Sequence, residues 1–305
     1  MTIALPTNTQ QSDRLTGTDY TLYAMTVLAW GFSWIAMKGQ GTTVAPEVSV
    51  FWRFVLAACL MMVWVKVRGH GLRFAFKDHV RFAGLGALLF STNFTLFYYG
   101  AAHLPSGLLA VVFSTASIFN LFLGLLLFGQ RPNGQALIAG TLGFTGIALM
   151  FWPNLVGAEI NSEAALGLVL CICGTLSFCC GNMLSADTQR RGIGVTPATA
   201  WGMVYGMVFL GVFVFLRGQD FAIEWTTTYI GTLVYLAVVA SVIAFASYLT
   251  LLGRIGSARA GYATVVFPVV ALTVSTIFEG YQWTALAIAG LICVLTGNFL
   301  MLRAR

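Results

Sequence analysis

The side chains that could do chemistry in this sequence are few, and they recur at helical spacings inside long apolar runs. Trp30 and Trp34 are four residues apart, which puts both indoles on one face of a helix. Asn93 and Phe97 repeat that spacing, with Tyr98 beside them. Ser114, Ser117 and Asn120 fall three apart and make one polar stripe, which either joins helices or lines a cavity. The second half contributes Asn182, Tyr248 and Thr264, followed by Pro268. A proline inside a helix removes a hydrogen bond and kinks the chain, leaving the Thr264 carbonyl free as a hydrogen-bonding point and making Pro268 a candidate hinge. Together these groups are neutral, aromatic and hydrogen-bonding. They suit the binding of a neutral or zwitterionic solute with an apolar side chain, and suit a polyanion poorly.

Groups that break bonds are missing by pattern. No aspartate or glutamate lies deep in an apolar run, and His103 with Ser106 sits in a short turn rather than in a buried base–nucleophile pair. There is no G-x-x-x-x-G-K phosphate loop, so ATP hydrolysis is not expected. The six cysteines all fall inside apolar runs, where they read as small apolar filler rather than as a disulfide or zinc framework. The expectation is a protein that is not an enzyme and uses no cofactor or metal. Without a buried acid, a carboxylate proton relay is also not expected.

The elements that position these residues follow from composition. The chain is 58% hydrophobic and 9% charged, with a mean hydropathy of +0.85. A soluble domain carries nearer a quarter charged residues, so lipid must be the solvent here. Ten runs are long enough to cross a hydrocarbon core as helices: 20–37, 48–67, 80–99, 106–128, 134–152, 165–186, 198–216, 228–252, 260–278 and 283–302. None alternates as a barrel strand would. Residues 1–19 are polar and are expected to form a disordered tail. The second helix opens at Pro46-Glu47, so Arg53 lies about two turns below the surface, roughly 10 Å deep at 1.5 Å per residue. A charge at that depth is a functional candidate. It attracts a substrate carboxylate from a water-filled cavity, or else it snorkels outward or pairs with a loop acid.

The two halves repeat one another. Phe97 to Met150 and Ser247 to Met301 share an aromatic cluster, a small-residue turn, a long apolar run and a glycine-spaced helix closing on Thr-Gly-x-x-Leu-Met. Lys66, Arg68, Arg73, Lys77, Arg81, Arg131, Arg190, Arg191, Arg254 and Arg259 gather on one side with both tails. By the positive-inside rule both termini are cytoplasmic. This topology accounts for the net charge of +6 without a nucleic-acid partner. With five spans per half, the second copy enters the membrane from the opposite face. The fold expected is an all-α integral membrane protein of ten helices in two inverted-topology repeats, 20–152 and 165–302. Secondary transporters use this construction, with the substrate between the repeats near the midplane. Gly140, Gly143 and Gly146 in helix 5, and Gly290 and Gly297 in helix 10, are small-residue ridges expected to form scaffold.

With these residues in view, the chain resembles the drug/metabolite transporter superfamily in its ten-helix EamA branch. The matching features are LAWGFSWIAMK, FWRFVLAAC, the turns FYYGAAHLPSGLLA and SYLTLLGRIGSARAG, FPV with Pro268, and the two Thr-Gly-x-x-Leu-Met endings. One departure is visible: helix 4 ends Gly129-Gln130 where the family often has Gly-Glu, whereas helix 9 keeps Glu279. The resemblance implies an exporter of small metabolites in the bacterial inner membrane. It also implies a central cavity built from helices 1, 3, 4, 6, 8 and 9 and worked by alternating access. Neutral or aromatic amino acids are the expected cargo, with amphiphilic drugs as the alternative; a passive channel or an intramembrane enzyme would belong to a different class. The partners expected are a small-molecule substrate and the lipid bilayer, with the choice of monomer or homodimer left open.

Overall fold

The computed structural model describes residues 15–41, 43–116, 118–120, 134–155, 161–248 and 263–303, with isolated positions at 123, 126, 250–251 and 254. Among them there is helix and no strand. Ten helices follow in order. They are α1 Gly17–Lys38, α2 Pro46–Val67, α3 Phe76–Ala101, α4 from Ser106, α5 Gly134–Leu155, α6 Ser162–Arg190, α7 Val195–Leu216, α8 Thr227–Tyr248, α9 Ala263–Glu279 and α10 Ala285–Arg303. Helices are the expected answer to an apolar solvent, because lipid offers no partner to a free backbone N–H or carbonyl. Six of them are long and apolar enough to cross a membrane, and three shorter apolar helices lie in α4, α9 and α10. Large side chains such as Phe215, Leu216, Ile277 and Phe278 are left on the outside, as a lipid-facing surface requires.

Helix ends run past the apolar runs because polar caps extend them. Thr16 and Asp19 form a capping box that starts α1 three residues ahead of its apolar run. Asn161 caps α6 through the Ala164 N–H, and Thr226 caps α8 through the Tyr229 N–H. Pro46 opens α2 at a position whose N–H has no helical partner anyway.

The packing follows the repeat. α2 lies against α7, and α5 against α10, so each pairs with its own counterpart. α1 packs on α8 and α9, and its counterpart α6 packs on α3 and α4. The glycine ridges sit where the scaffold reading puts them. A Cβ added at Gly146 would lie 2.6 Å from the Gly290 carbonyl oxygen, and one added at Gly290 would lie 2.5 Å from the Gly146 oxygen. The backbones of α5 and α10 therefore touch directly, which only glycine permits.

Two of the helices depart from regular α-helical geometry. α3 is π-helical over Gly86–Thr92, and α8 over Tyr235–Ile243. These are the third helices of the two halves, so the wider turn occurs twice at related places. π-Helical turns are rare and concentrate at functional sites.

Candidate functional site

The aromatic residues of six helices meet in one continuous cluster. Trp34 of α1 lies 5.2 Å from Phe97 of α3, 5.6 Å from Phe113 of α4 and 6.4 Å, stacked, from Phe267 of α9. Trp30 lies one turn away. It contacts Tyr248 at 5.3 Å and Phe245 at 5.8 Å, both on α8, and Phe267 at 6.4 Å. Phe113 meets Phe178 of α6 at 4.7 Å. Offset and edge-on ring pairs of this kind are favourable beyond their burial. Pro268 follows Phe267 directly and is buried inside α9.

Polar atoms of Trp34 and Asn93 in this setting, and of Asn120 further along α4, lack partners. Trp34 Nε1, Asn93 Oδ1 and Asn120 Oδ1 are buried and make no hydrogen bond. Asn93 is 3% exposed, and its amide nitrogen donates to the Leu89 carbonyl at 3.3 Å. Buried polar groups are nearly always satisfied, so orphans like these mark a place where a water or a ligand belongs. Two of them, Trp34 and Asn93, flank Phe97.

The π-helical turns are bound from the first helix of the opposite half. Trp30 Nε1 donates to the Ala240 carbonyl in α8 at 3.3 Å. Ser177 Oγ of α6 donates to the Leu88 carbonyl in α3 at 2.8 Å. The two turns expose carbonyls that a regular helix would keep for itself, and the two halves use them reciprocally.

Arg53 of α2 is 4% exposed, so it does not snorkel, and among the described residues no acid pairs with it. Its Nε and Nη2 donate to Ser241 Oγ at 3.2 and 3.1 Å, and its guanidinium carbon lies 4.4 Å from the centre of the Phe94 ring. Tyr98 turns from the aromatic cluster toward this side. Its hydroxyl donates to Gln40 Oε1 at 2.7 Å and faces the Arg53 charge. Asn182 is half-buried on α6, one turn beyond Phe178. Ser117 and the Thr264 side chain lie outside the described residues.

At the end of the bundle that carries Lys38, charged side chains tie the helices together. Glu279, the last residue of α9, pairs with Lys38 at 3.1 Å and accepts from the Ser106 N–H at 2.9 Å and from the Ser106 hydroxyl. A carboxylate at the first turn of α4 also meets that helix's positive end. Lys38 donates onward to the Leu104 carbonyl at 3.1 Å, and Glu47 holds the Tyr99 hydroxyl at 2.7 Å and Arg217 at 3.7 Å. At the arginine-rich end, Asp19 holds Arg254 at 2.5 Å, and Asp187 holds Arg81 at 2.5 Å and Arg191 at 3.3 Å. An open groove of about 1140 Å³ lies on the flank, between α1, α8 and α9. It is lined by apolar residues such as Leu28, Phe32, Val239 and Ile243 and is separate from the aromatic cluster.

Phe113, Phe245 and Phe267 belong to this region, yet spacing did not single them out. Phenylalanine is common everywhere in the chain, so only its neighbours distinguish a central ring from a lipid-facing one.

Residues 20–152 and 165–303 each match the EamA-like transporter family, which covers nearly the whole chain in two copies. The chain belongs to the EamA-like transporter family. It is 25% identical over 297 residues to a "Probable amino-acid metabolite efflux pump" of Escherichia coli, covering 92% of this chain and 94% of that one. It is 27% identical over 280 residues to the "Uncharacterized transporter YvbV" of Bacillus subtilis, covering 90% and 88%. A solved crystal structure with 13% identity superposes with a TM-score of 0.67 over 94% of this chain and 96% of that one, which supports the fold. This EamA-like protein is thus a multi-pass inner-membrane transporter and not an enzyme.

Proposed function

We propose that this EamA-like transporter exports neutral amino acids, aromatic or branched ones first, by alternating access between its two halves, 20–152 and 165–302. The observation that carries this reading is the aromatic cluster with orphaned polar atoms at Trp34 and Asn93, and a further one at Asn120 on α4. Rings from α1, α3, α4, α6, α8 and α9 give an apolar side chain its surface, and the unpaired donor and acceptors give a zwitterion its hydrogen bonds. The E. coli relative's name points to the same class of cargo. Trp30, Phe97, Tyr98, Asn182 and Tyr248 complete the lining, with Ser117 and Thr264 as further contacts and Pro268 as the hinge of α9.

A second reading, export of amphiphilic drugs, draws support from the apolar groove between α1, α8 and α9. Counterflow in proteoliposomes separates the two. Vesicles are loaded with one unlabelled amino acid at a time, and uptake of labelled phenylalanine, leucine and threonine is followed. Saturable counterflow of phenylalanine and leucine is expected. Linear flux without saturation would instead mean a channel. Silence with every amino acid, together with counterflow of an amphiphilic cation, would favour the second reading.

A further inference from the structure

We infer that Arg53 recognises a free carboxylate on the transported solute, which takes the place now held by Ser241 Oγ. The inference rests on the amino-acid reading above and deepens it: the side chain of the cargo meets the aromatic rings, and its carboxylate meets Arg53.

Among the described residues, Arg53 is a charge without a counter-charge. A charged guanidinium held out of water needs compensation. The described acids are committed elsewhere. Asp19, Glu47, Glu163, Asp187 and Glu279 each face another basic side chain. Asp78 closes the first turn of α3, Glu224 holds Thr43 and Thr226, and Asp220 is exposed in the loop after α7. None of the described acids supplies the missing negative charge at Arg53.

The geometry names the missing group. The donors that Arg53 gives Ser241 are Nε and Nη2, the edge of the guanidinium whose parallel N–H bonds fit the two oxygens of a carboxylate. Here both converge on a single hydroxyl oxygen. That oxygen is itself a weak, neutral acceptor, since Ser241 gives its proton to the Leu236 carbonyl five residues back, inside the π-helical turn. The Phe94 face, 4.4 Å from the guanidinium carbon, holds the plane in position without neutralising it. Ser241 therefore keeps the fork satisfied while the site is empty. A carboxylate offers two charged acceptors where Ser241 offers one neutral one. The Arg53 side also connects to the aromatic cluster: Ala240, next to Ser241, accepts from Trp30 Nε1. Phe94 meets Phe54 at 5.0 Å, Phe54 meets Phe90 at 5.6 Å, and Phe90 meets Phe245, which touches Trp30.

The test uses the full chain and four probes that share one ring: phenylalanine, phenylalaninamide, 3-phenylpropionate and phenethylamine. Binding is read as ligand-induced thermal stabilisation of the purified protein, and as inhibition of labelled phenylalanine counterflow. The unaltered protein is expected to favour phenylalanine over its amide by at least ~100-fold, because the amide leaves a buried charge unpaired. 3-Phenylpropionate should bind and phenethylamine should not. Arg53→Gln should reduce the acid-to-amide preference to within a few-fold of one. Equal binding of acid and amide by the unaltered protein, or a preference that survives in R53Q, would overturn the inference. If R53Q does not fold, Ser241→Ala carries the test. With the fork released, carboxylate probes should bind about 10-fold more tightly and the amide should not change; an unchanged carboxylate affinity overturns the inference. If no amino acid shows counterflow, the amino-acid reading fails on its own. Stabilisation by 3-phenylpropionate that R53Q or S241A alters as above would still uphold Arg53, and its absence would overturn it.

Discussion

The contact between α5 and α10 makes a prediction whose size comes from the geometry. Gly290→Ala would put a methyl group 2.5 Å from the Gly146 oxygen, 2.5 Å from Met150 Cγ and 2.9 Å from Met150 N. Carbon contacts relax at about 3.5–4.0 Å, so the helices must separate by roughly 1 Å. Two of the three atoms belong to the backbone and cannot rotate away, which puts the cost at the upper end of overpacking, about 3 kcal/mol. Alanine returns about 1 kcal/mol through its better helix propensity. The net expectation is about 2 kcal/mol of destabilisation, or roughly 4 °C in apparent melting temperature for a chain of this size. Gly146→Ala should cost a similar amount, since its methyl would meet the Gly290 oxygen at 2.6 Å and Val294 N at 2.8 Å. Once one methyl has parted the helices, the second finds room. The double variant should then fall short of additivity by about 1 kcal/mol. Gly231→Ala on α8 is the control. Nothing lies within 4 Å of its added Cβ, so it should stabilise the protein by propensity alone. The assay is thermal unfolding of the detergent-solubilised protein without ligand. Singles at 146 and 290 that melt with the unaltered protein, or a G231A variant that falls as far as G290A, would refute the close approach.

Two further outcomes follow from the same reasoning. Asn93→Leu removes a buried carbonyl oxygen that has no partner, so the empty protein should gain about 1 kcal/mol of stability while phenylalanine counterflow weakens at least ~10-fold in KM; thermal unfolding and counterflow read the two effects separately, and an unchanged KM would remove Asn93 from the site. Glu279→Gln leaves Lys38 without its ion partner and gives the Ser106 N–H a weaker acceptor, so stability should drop by about 1–2 kcal/mol. A Lys38→Met background should abolish part of that loss, and a loss equal in both backgrounds would show that the ion pair contributes nothing.

Much of the architecture was legible because lipid is an exacting solvent. It demands long apolar helices, so the runs around 48–67 and 198–216 announced α2 and α7 directly. The glycine ridge read from Gly146 and Gly290 was legible for a related reason: in lipid, a glycine stripe has little use other than close packing. Trp30, Trp34, Asn93 and Phe97 stood out because aromatic and amide groups at one helical spacing are unusual in such runs. That Phe113, Phe245 and Phe267 join them was not legible. Phe267 and Phe278 look alike in the sequence, yet one is buried beside Trp34 and the other is exposed on the outer surface.

The sequence alone determined the helical class, the duplication and the class of solvent, because these depend on hydrophobicity and periodicity summed over many residues. Only the tertiary structure decided how Arg53 is held, that Ser241 is its acceptor, and that Glu279 ties α9 to α1 and α4. It also decided the two π-helical turns, whose register shifts by one hydrogen bond without any change in composition. Each of these depends on which side chains from distant parts of the chain come within about 3 Å of one another. That proximity arises only when helices far apart in sequence are packed together, so no local pattern of residues carries it.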